Sequence, residues 1–222
     1  MGHLTHFGAD QERGGQMPRI SAVERRALLC EAALLVLSRD GLGALTTRAV
    51  VAEAGMSLAS FHYAYDSREQ LLGDVIAAVI AKEREAGLAG LLAEAGSAEQ
   101  ALRAAVRGYL ALLRADPGRE QGMLELTQAA LRTEALSPLA AAQYRHYHDV
   151  AADLLAQVAT RHDVVWRAPL ADLAALVVAL TDGMTLAWLA ERDDAALDRL
   201  ADLAVAALVG QLEPALATEA AR

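Results

Sequence analysis

From Arg19 onward the chain sets apolar stripes at helical spacing between short polar breaks, and the breaks carry helix-start and helix-stop residues. Val23, Ala27, Cys30, Leu34 and Leu37 recur at steps of four and three, which predicts an amphipathic helix over 20–39, ended by Asp40-Gly41. Thr46 is a good N-cap for a short helix to Ala54, Gly55 makes a turn, and Ser57 caps a second short helix to Tyr63. Ser67, with Gln70 three residues on, forms a capping box that opens a long helix to Ala93; Ser97 and Gln100 repeat the box before a helix over 98–115. Asp116-Pro117 and Ser137-Pro138 each set a capping side chain before a proline at the first helical position, opening helices over 118–131 and 138–162. Pro169 starts a helix that ends near Arg192, and the last runs from Ala195 to Leu212. The pattern predicts nine helices, no sheet and no internal repeat. Residues 1–18, Gly-rich, polar and aperiodic, read as a disordered arm.

Composition points the same way. The 222 residues hold 51 Ala and 37 Leu against 3 Ile and 2 Phe, which excludes an all-β fold and disfavours an α/β sheet. The length corresponds to between one and two domains and needs no disulfide or metal staple. Cys30 is the sole cysteine, so no intrachain disulfide framework exists; on the apolar stripe of its helix it reads as inert packing. The longest run free of Asp, Glu, Lys and Arg is 12 residues, Ala54 to Tyr65, short of the roughly 18 that a membrane span needs. The first 19 residues hold no apolar signal-peptide core. The expectation is a soluble, cytoplasmic, all-α protein.

Net charge is −9, but residues 1–72 hold 7 Arg/Lys and 8 Asp/Glu while the remainder holds 13 and 21. The near-neutral N-terminal third leaves room for a DNA-facing end. There, two short helices joined at Gly55 make a helix-turn-helix candidate. Val50, Val51 and Ala54 face inward, with Phe61 and Tyr65 as anchors. Thr46, Thr47, Arg48, Ser57, Leu58, Ser60, His62 and Tyr63 face outward. Hydroxyls and a phenol suit phosphates, an Arg a guanine edge, and a Leu a thymine methyl. On the residues alone, a DNA reader and an ordinary helical hairpin both stay open.

Residues 45–72 resemble the DNA-binding domain of the TetR (tetracycline-repressor-like) regulators, through Thr46-Thr47, Ala54-Gly55-Met56-Ser57, Phe61-His62-Tyr63-Ala64-Tyr65 and Ser67-Arg68-Glu69-Gln70-Leu71. Leu124-Glu125-Leu126-Thr127, Ala130-Leu131-Arg132-Thr133, Gln143-Tyr144 and Asp182 to Leu189 resemble the C-terminal domain of one common branch. The resemblance implies a DNA-binding domain over 19–66, continued by the start of the 67–93 helix, and a ligand-binding and dimerisation domain over 67–222. It implies that Thr47, Tyr63 and Arg68 hold phosphates, that Arg48 reads a base edge, and that Leu58, Ala59, Ser60 and His62 line the recognition helix. Thr46 joins this set as both cap and contact. Leu58 and Ala59 cannot hydrogen-bond a base, and Ala64 stands where many members keep His or an aromatic, so specificity leans on Arg48, Ser60, thymine methyls and DNA shape.

The helix 169–192 is apolar nearly all round and therefore needs cover on two sides. The resemblance implies that it pairs, with the last helix, in a four-helix homodimer interface. Ala175, Ala179 and Gly183 would permit close approach, joined by Leu200, Ala204, Ala207 and Leu208; a monomeric core is the alternative. Tyr109, Glu125, Gln128, Tyr144, His148, Thr181 and Thr185, among Met123, Leu131, Met184 and Trp188, are candidates to line a small-molecule cavity. His146 and His148 point about 200° apart on a helix and cannot share an ion, and neither a nucleotide-binding Gly-rich loop nor a nucleophile elbow is present. No cofactor, metal or catalytic role is expected. The leading expectation is a homodimeric repressor released from a pseudo-palindromic operator by a small lipophilic effector. A constitutive regulator without an effector, and a helical carrier or enzyme with a structural helix-turn-helix, remain the alternatives.

Overall fold

The computed structural model describes residues 20–93 and 96–215; the arm expected over 1–18 lies outside them. The described elements are α1 (Ala22–Asp40), α2 (Thr47–Glu53), α3 (Leu58–Ala64), α4 (Arg68–Ala93), α5 (Ala98–Ala115), α6 (Pro117–Arg132), α7 (Ser137–His162), β1 (Val164–Trp166), α8 (Leu170–Glu191), α9 (Asp194–Val209) and β2 (Leu212–Pro214). Most starts follow the capping chemistry. Thr46, Ser57, Ser97, Asp116 and Asp193 each accept a backbone N–H of the first turn through the side chain.

Four expectations need correction. The chain does contain a small sheet, in which β1 and β2 pair antiparallel with Val165 opposite Glu213. Asp163, in the left-handed region at φ 52°, ends α7 and turns the chain into β1, while α9 stops at Val209 and not at Leu212. Strands of three residues are too short to show a period. Ser137 is not a cap, because its own N–H already bonds the Thr133 carbonyl at 3.0 Å inside a helical turn. On α1 the buried face is Leu29, Ala32, Ala33, Val36 and Leu37, whereas Val23 is 79% exposed. Apolar residues lie nearly all round α1, so spacing alone cannot choose its inner face.

The first core joins α1–α4 to Met123, Leu126 and Ala130 of α6 and to Leu136 and Ala140 at the start of α7. That core therefore reaches well beyond residues 19–66. A second lies at the far end, where Leu91, Leu102, Leu155, Val158, Leu173 and Leu208 meet under the β ribbon. A third surrounds Trp188, with Leu110, Leu113, Met184, Leu197 and Ala204.

The contact between α1 and α6 is unusually close. A Cβ on Gly118 would stand 2.2 Å from the Ser38 carbonyl oxygen, and one on Gly122 2.5 Å from Leu37 Cγ, so only glycine allows this approach. The Ser38 hydroxyl donates to Asp116 (2.6 Å), which also accepts from the Arg119 N–H (3.0 Å), and the Leu42 N–H donates to Glu125 (2.8 Å). A seam of backbone contact and charge-assisted hydrogen bonds thus fixes α6 to the helix beneath the helix-turn-helix.

Candidate functional site

Helices α2 and α3 meet at Gly55, whose φ of +63° suits glycine, and the Met56 N–H closes the turn on the Val51 carbonyl at 2.8 Å. Val50, Val51, Phe61 and Tyr65 are buried, as their spacing predicts. Thr46, Arg48, Leu58, Ala59, His62 and Tyr63 are exposed together on one face, with Thr47 and Ser60 half-buried beside them. Tyr63 is 79% exposed, far more than packing would leave a phenol, and the Arg25 guanidinium stands 6.0 Å from its ring. Arg25 brings a cation to this face that spacing along the chain could not reveal.

Two of the polar groups have structural duties as well. The Ser60 hydroxyl lies 3.0 Å from that of Ser57, which caps α3. Arg68 Nε donates to the Leu45 carbonyl at 3.0 Å, bracing the start of α4 against the segment that leads into α2. Beneath the face, Arg26 grips Asp74 through Nε (2.6 Å) and Nη2 (3.0 Å), and the Tyr65 hydroxyl donates to the same carboxylate (2.9 Å). The Arg26 bond holds Asp74 below the usual carboxylate range, and burial pushes the Tyr65 phenol up. This network locks α1, α3 and α4 in one arrangement. Burial also raises the Cys30 thiol to about 11, in keeping with inert packing.

The second feature is a cavity lined by α4 to α9, with a volume of about 160 Å³. That is near the roughly 150 Å³ of an apolar cavity able to hold benzene. Its walls are largely aliphatic, including Leu91, Leu102, Val106, Leu154, Leu155 and Val177. Among the expected ligand residues, Tyr109, Met123, Tyr144, Thr181 and Thr185 line it. The other six do not, and Leu131, near the end of α6, is 68% exposed. Glu125 faces the α1 seam, and Gln128 is exposed on the far side of α6. Met184 and Trp188 fill the third core, where the indole N–H donates to Asp194 at 2.9 Å. His148 packs edge-on to the outer side of Tyr144, with ring centroids 6.3 Å apart, and is not part of the lining.

The polar lining residues that the sequence reading missed are Glu83, Glu120, Thr127, Gln143, Tyr147 and Asp182. Tyr144 donates to Asp182 at 2.6 Å, Thr127 to Gln143 at 3.1 Å and Gln143 to Tyr147 at 3.4 Å, while Tyr109 and Thr185 share a hydrogen bond. Glu120 is buried against Arg119, whose Nε donates to it at 2.9 Å. Burial raises the Glu120 and Asp182 carboxyls, and it drives Glu83 up to about 8 with help from the charge of Glu120.

A third surface is apolar and uncovered. Ala175, Ala179 and Gly183 are exposed along α8, together with Leu176 and Leu186, and a Cβ on Gly183 would meet nothing within 4 Å. On α9, Leu200, Leu203 and Ala207 are exposed, but Ala204 and Leu208 belong to the protomer's own cores and are corrected out of the interface set. Among the described helices, α8 alone is long and apolar enough to cross a membrane by composition, with a mean hydropathy of 1.8 over its best window and a third of that window buried. Run length without charges missed this, because Asp172 and Asp182 interrupt an otherwise apolar helix.

Residues 29–75 match the family model of the bacterial regulatory proteins of the tetR family, and residues 98–213 match that of the BetI-type transcriptional repressor C-terminal domain. Over 54 residues the chain is 39% identical to the HTH-type nicotine-responsive transcriptional repressor HdnoR of Paenarthrobacter nicotinovorans, a stretch covering 24% of this chain and 28% of that one. A TetR transcription regulator from Haloarcula marismortui superposes with a TM-score of 0.68 at 17% identity, over 86% of this chain and 100% of that one. FadR from Bacillus subtilis, in complex with stearoyl-CoA, gives 0.65 at 15% identity, over 84% and 99%. At such identities the two structures speak for the fold alone.

Proposed function

Since this chain belongs to the TetR family of bacterial transcription regulators, with a DNA-binding helix-turn-helix, we propose that it is a ligand-responsive repressor. It grips a pseudo-palindromic operator as a homodimer and is released by a small molecule entering the cavity. The observation that carries this reading is the double duty of α6. One face, through Gly118, Gly122 and Glu125, is fastened to α1 and its following loop; the other, through Glu120, Met123, Leu124 and Thr127, lines the cavity. A ligand that displaces the cavity face of α6 therefore moves the platform of the reading helices. Helix α4 offers a second route, since its 26 residues span about 39 Å from the recognition unit to the cavity wall.

In this reading Thr47, Tyr63 and Arg68 hold phosphates, Arg48 reads a base edge, and Leu58, Ala59, Ser60 and His62 form the groove-facing surface, with Thr46 beside them. The exposed stripe of α8 and α9 meets its symmetry mate, so that the two reading heads lie about 34–36 Å apart, one turn of DNA. The cavity favours an effector over a constitutive regulator, whose hallmark would be a solid core. The protein works with the DNA in the cytoplasm and catalyses no reaction. Selecting genomic DNA with the purified protein and footprinting it tests this: two protected half-sites, one helical turn or a multiple apart, are expected. Full-affinity binding to a lone half-site would refute it.

A further inference from the structure

We infer that the cavity takes a hydrophobic cation, an ammonium group on an apolar body of about ring size, with Glu83 as its principal counter-ion and Asp182 as the second. The inference rests on the ligand-responsive reading above and names the class of ligand. Ten polar side chains line the cavity, and nine of them are hydrogen-bonded to one another, to Arg119 or to backbone carbonyls. Glu83 is the tenth; among the described residues nothing donates to it. Glu83 is half-buried, and a carboxylate that lines a largely apolar hollow without a donor has no partner for its charge. Here it sits in a hollow, so the missing donor has room to arrive from outside.

The charge of that donor follows from the surroundings. Glu83 on α4, Glu120 on α6 and Asp182 on α8 face the cavity; the buried cation near them, Arg119, is already bound to Glu120, and His148 on α7, outside the lining, favours the charge of Asp182. An anionic ligand would meet three acidic groups and no free guanidinium. A neutral apolar ligand would fill the space but leave Glu83 as it is. A cation satisfies the carboxylate, and the rings of Tyr109 on α5 and of Tyr144 and Tyr147 on α7 provide faces on which it can rest. Helix α9 contributes only Leu208.

Protons then become linked to binding. In the empty protein burial keeps Glu83 largely protonated below about pH 8. The cation binds the ionised form, so the proton leaves for solvent as the ligand enters. For a quaternary ammonium, which does not titrate, affinity rises with pH toward 8 and levels above it.

The test uses the full chain and calorimetry with three probes of similar size: benzyltrimethylammonium, its neutral isostere neopentylbenzene, and phenylacetate. Expected are a cation affinity at pH 8 at least tenfold above that of either other probe, a fall in that affinity from pH 8 to pH 6, and proton release into the buffer. In Glu83→Gln the cation advantage drops at least tenfold, and the pH slope and proton release vanish. Neopentylbenzene binding as tightly as the cation, or a cation affinity and pH slope unaltered by Glu83→Gln, would overturn the inference while leaving the cavity as a ligand site. If none of the probes binds, the ligand-responsive reading falls with it. Should Glu83→Gln fail to fold, the pH slope and proton release of the unaltered chain decide alone.

Discussion

Asp74 beneath the reading helices accepts two hydrogen bonds from Arg26 and one from Tyr65, whereas Glu83, on the same helix α4 some nine residues on, accepts none among the described residues. The two carboxylates respond in opposite directions: Asp74 is held low by its partners, Glu83 is driven high by burial. A satisfied network tolerates one geometry and rigidifies what it joins, while an unsatisfied one in a hollow changes state when a partner arrives. One helix thus carries a fixed end and a responsive end, and the α1–α6 seam is the second tie between them.

The largest expected effect comes from breaking that seam. In Gly118→Ala the new methyl meets backbone, not a flexible side chain, at 2.2 Å, so α1 and α6 must part at a cost of about 3 kcal/mol. Denaturant unfolding measures it. A loss below about 0.5 kcal/mol would mean that the two ends are only loosely joined.

Next comes Glu83→Gln, which sharpens the contrast because it should stabilise the protein. The folded carboxyl titrates near 8 against an ordinary 4.5. Its neutral form is therefore favoured by folding, and stability falls as pH rises from about 4.5 through 8. The variant does not suffer that fall, so its advantage should grow between pH 5 and pH 8, by about 2 kcal/mol once the roughly 3.5 kcal/mol of the full shift is discounted for the partial exposure of Glu83. Unfolding curves that shift equally at both pH values would contradict an unpaired, poorly solvated Glu83.

The smallest effects separate roles within the fixed end. Arg48→Ala should cost roughly 1–2 kcal/mol of discrimination between operator and random DNA. Arg68→Ala should weaken both alike and lower the salt dependence by about one unit per contact. It should also lower stability slightly, because Arg68 braces Leu45. Equal effects of the two substitutions on operator and random duplexes in titrations across salt would erase the distinction.

The helix-turn-helix was legible because its determinants are local: two caps, a glycine turn and an inward set of Val50, Val51, Phe61 and Tyr65. Four of the ten polar cavity residues, Tyr109, Tyr144, Thr181 and Thr185, were legible because Tyr and Thr stand out in an apolar helix. Glu83 did not stand out. Lys82-Glu83-Arg84-Glu85 reads as a solvated charge run, and only the packing of α4 against the other helices turns one of the four inward. Glu120, in the first turn of α6, reads as an ordinary partner for the helix dipole, and Glu125 reads as a cavity group until the fold brings the loop after α1 to it. These assignments depend on contacts between residues far apart in the chain, which a periodicity cannot report.

A ligand at the responsive end and DNA at the fixed end should oppose each other. Fluorescence anisotropy of a labelled operator fragment, taken from DNA selected by the protein, measures this directly with and without saturating benzyltrimethylammonium at pH 8. The cation should weaken operator binding by roughly 5- to 150-fold, and operator should weaken cation binding by the same factor. Cation binding in the cavity with an unchanged operator affinity would contradict it.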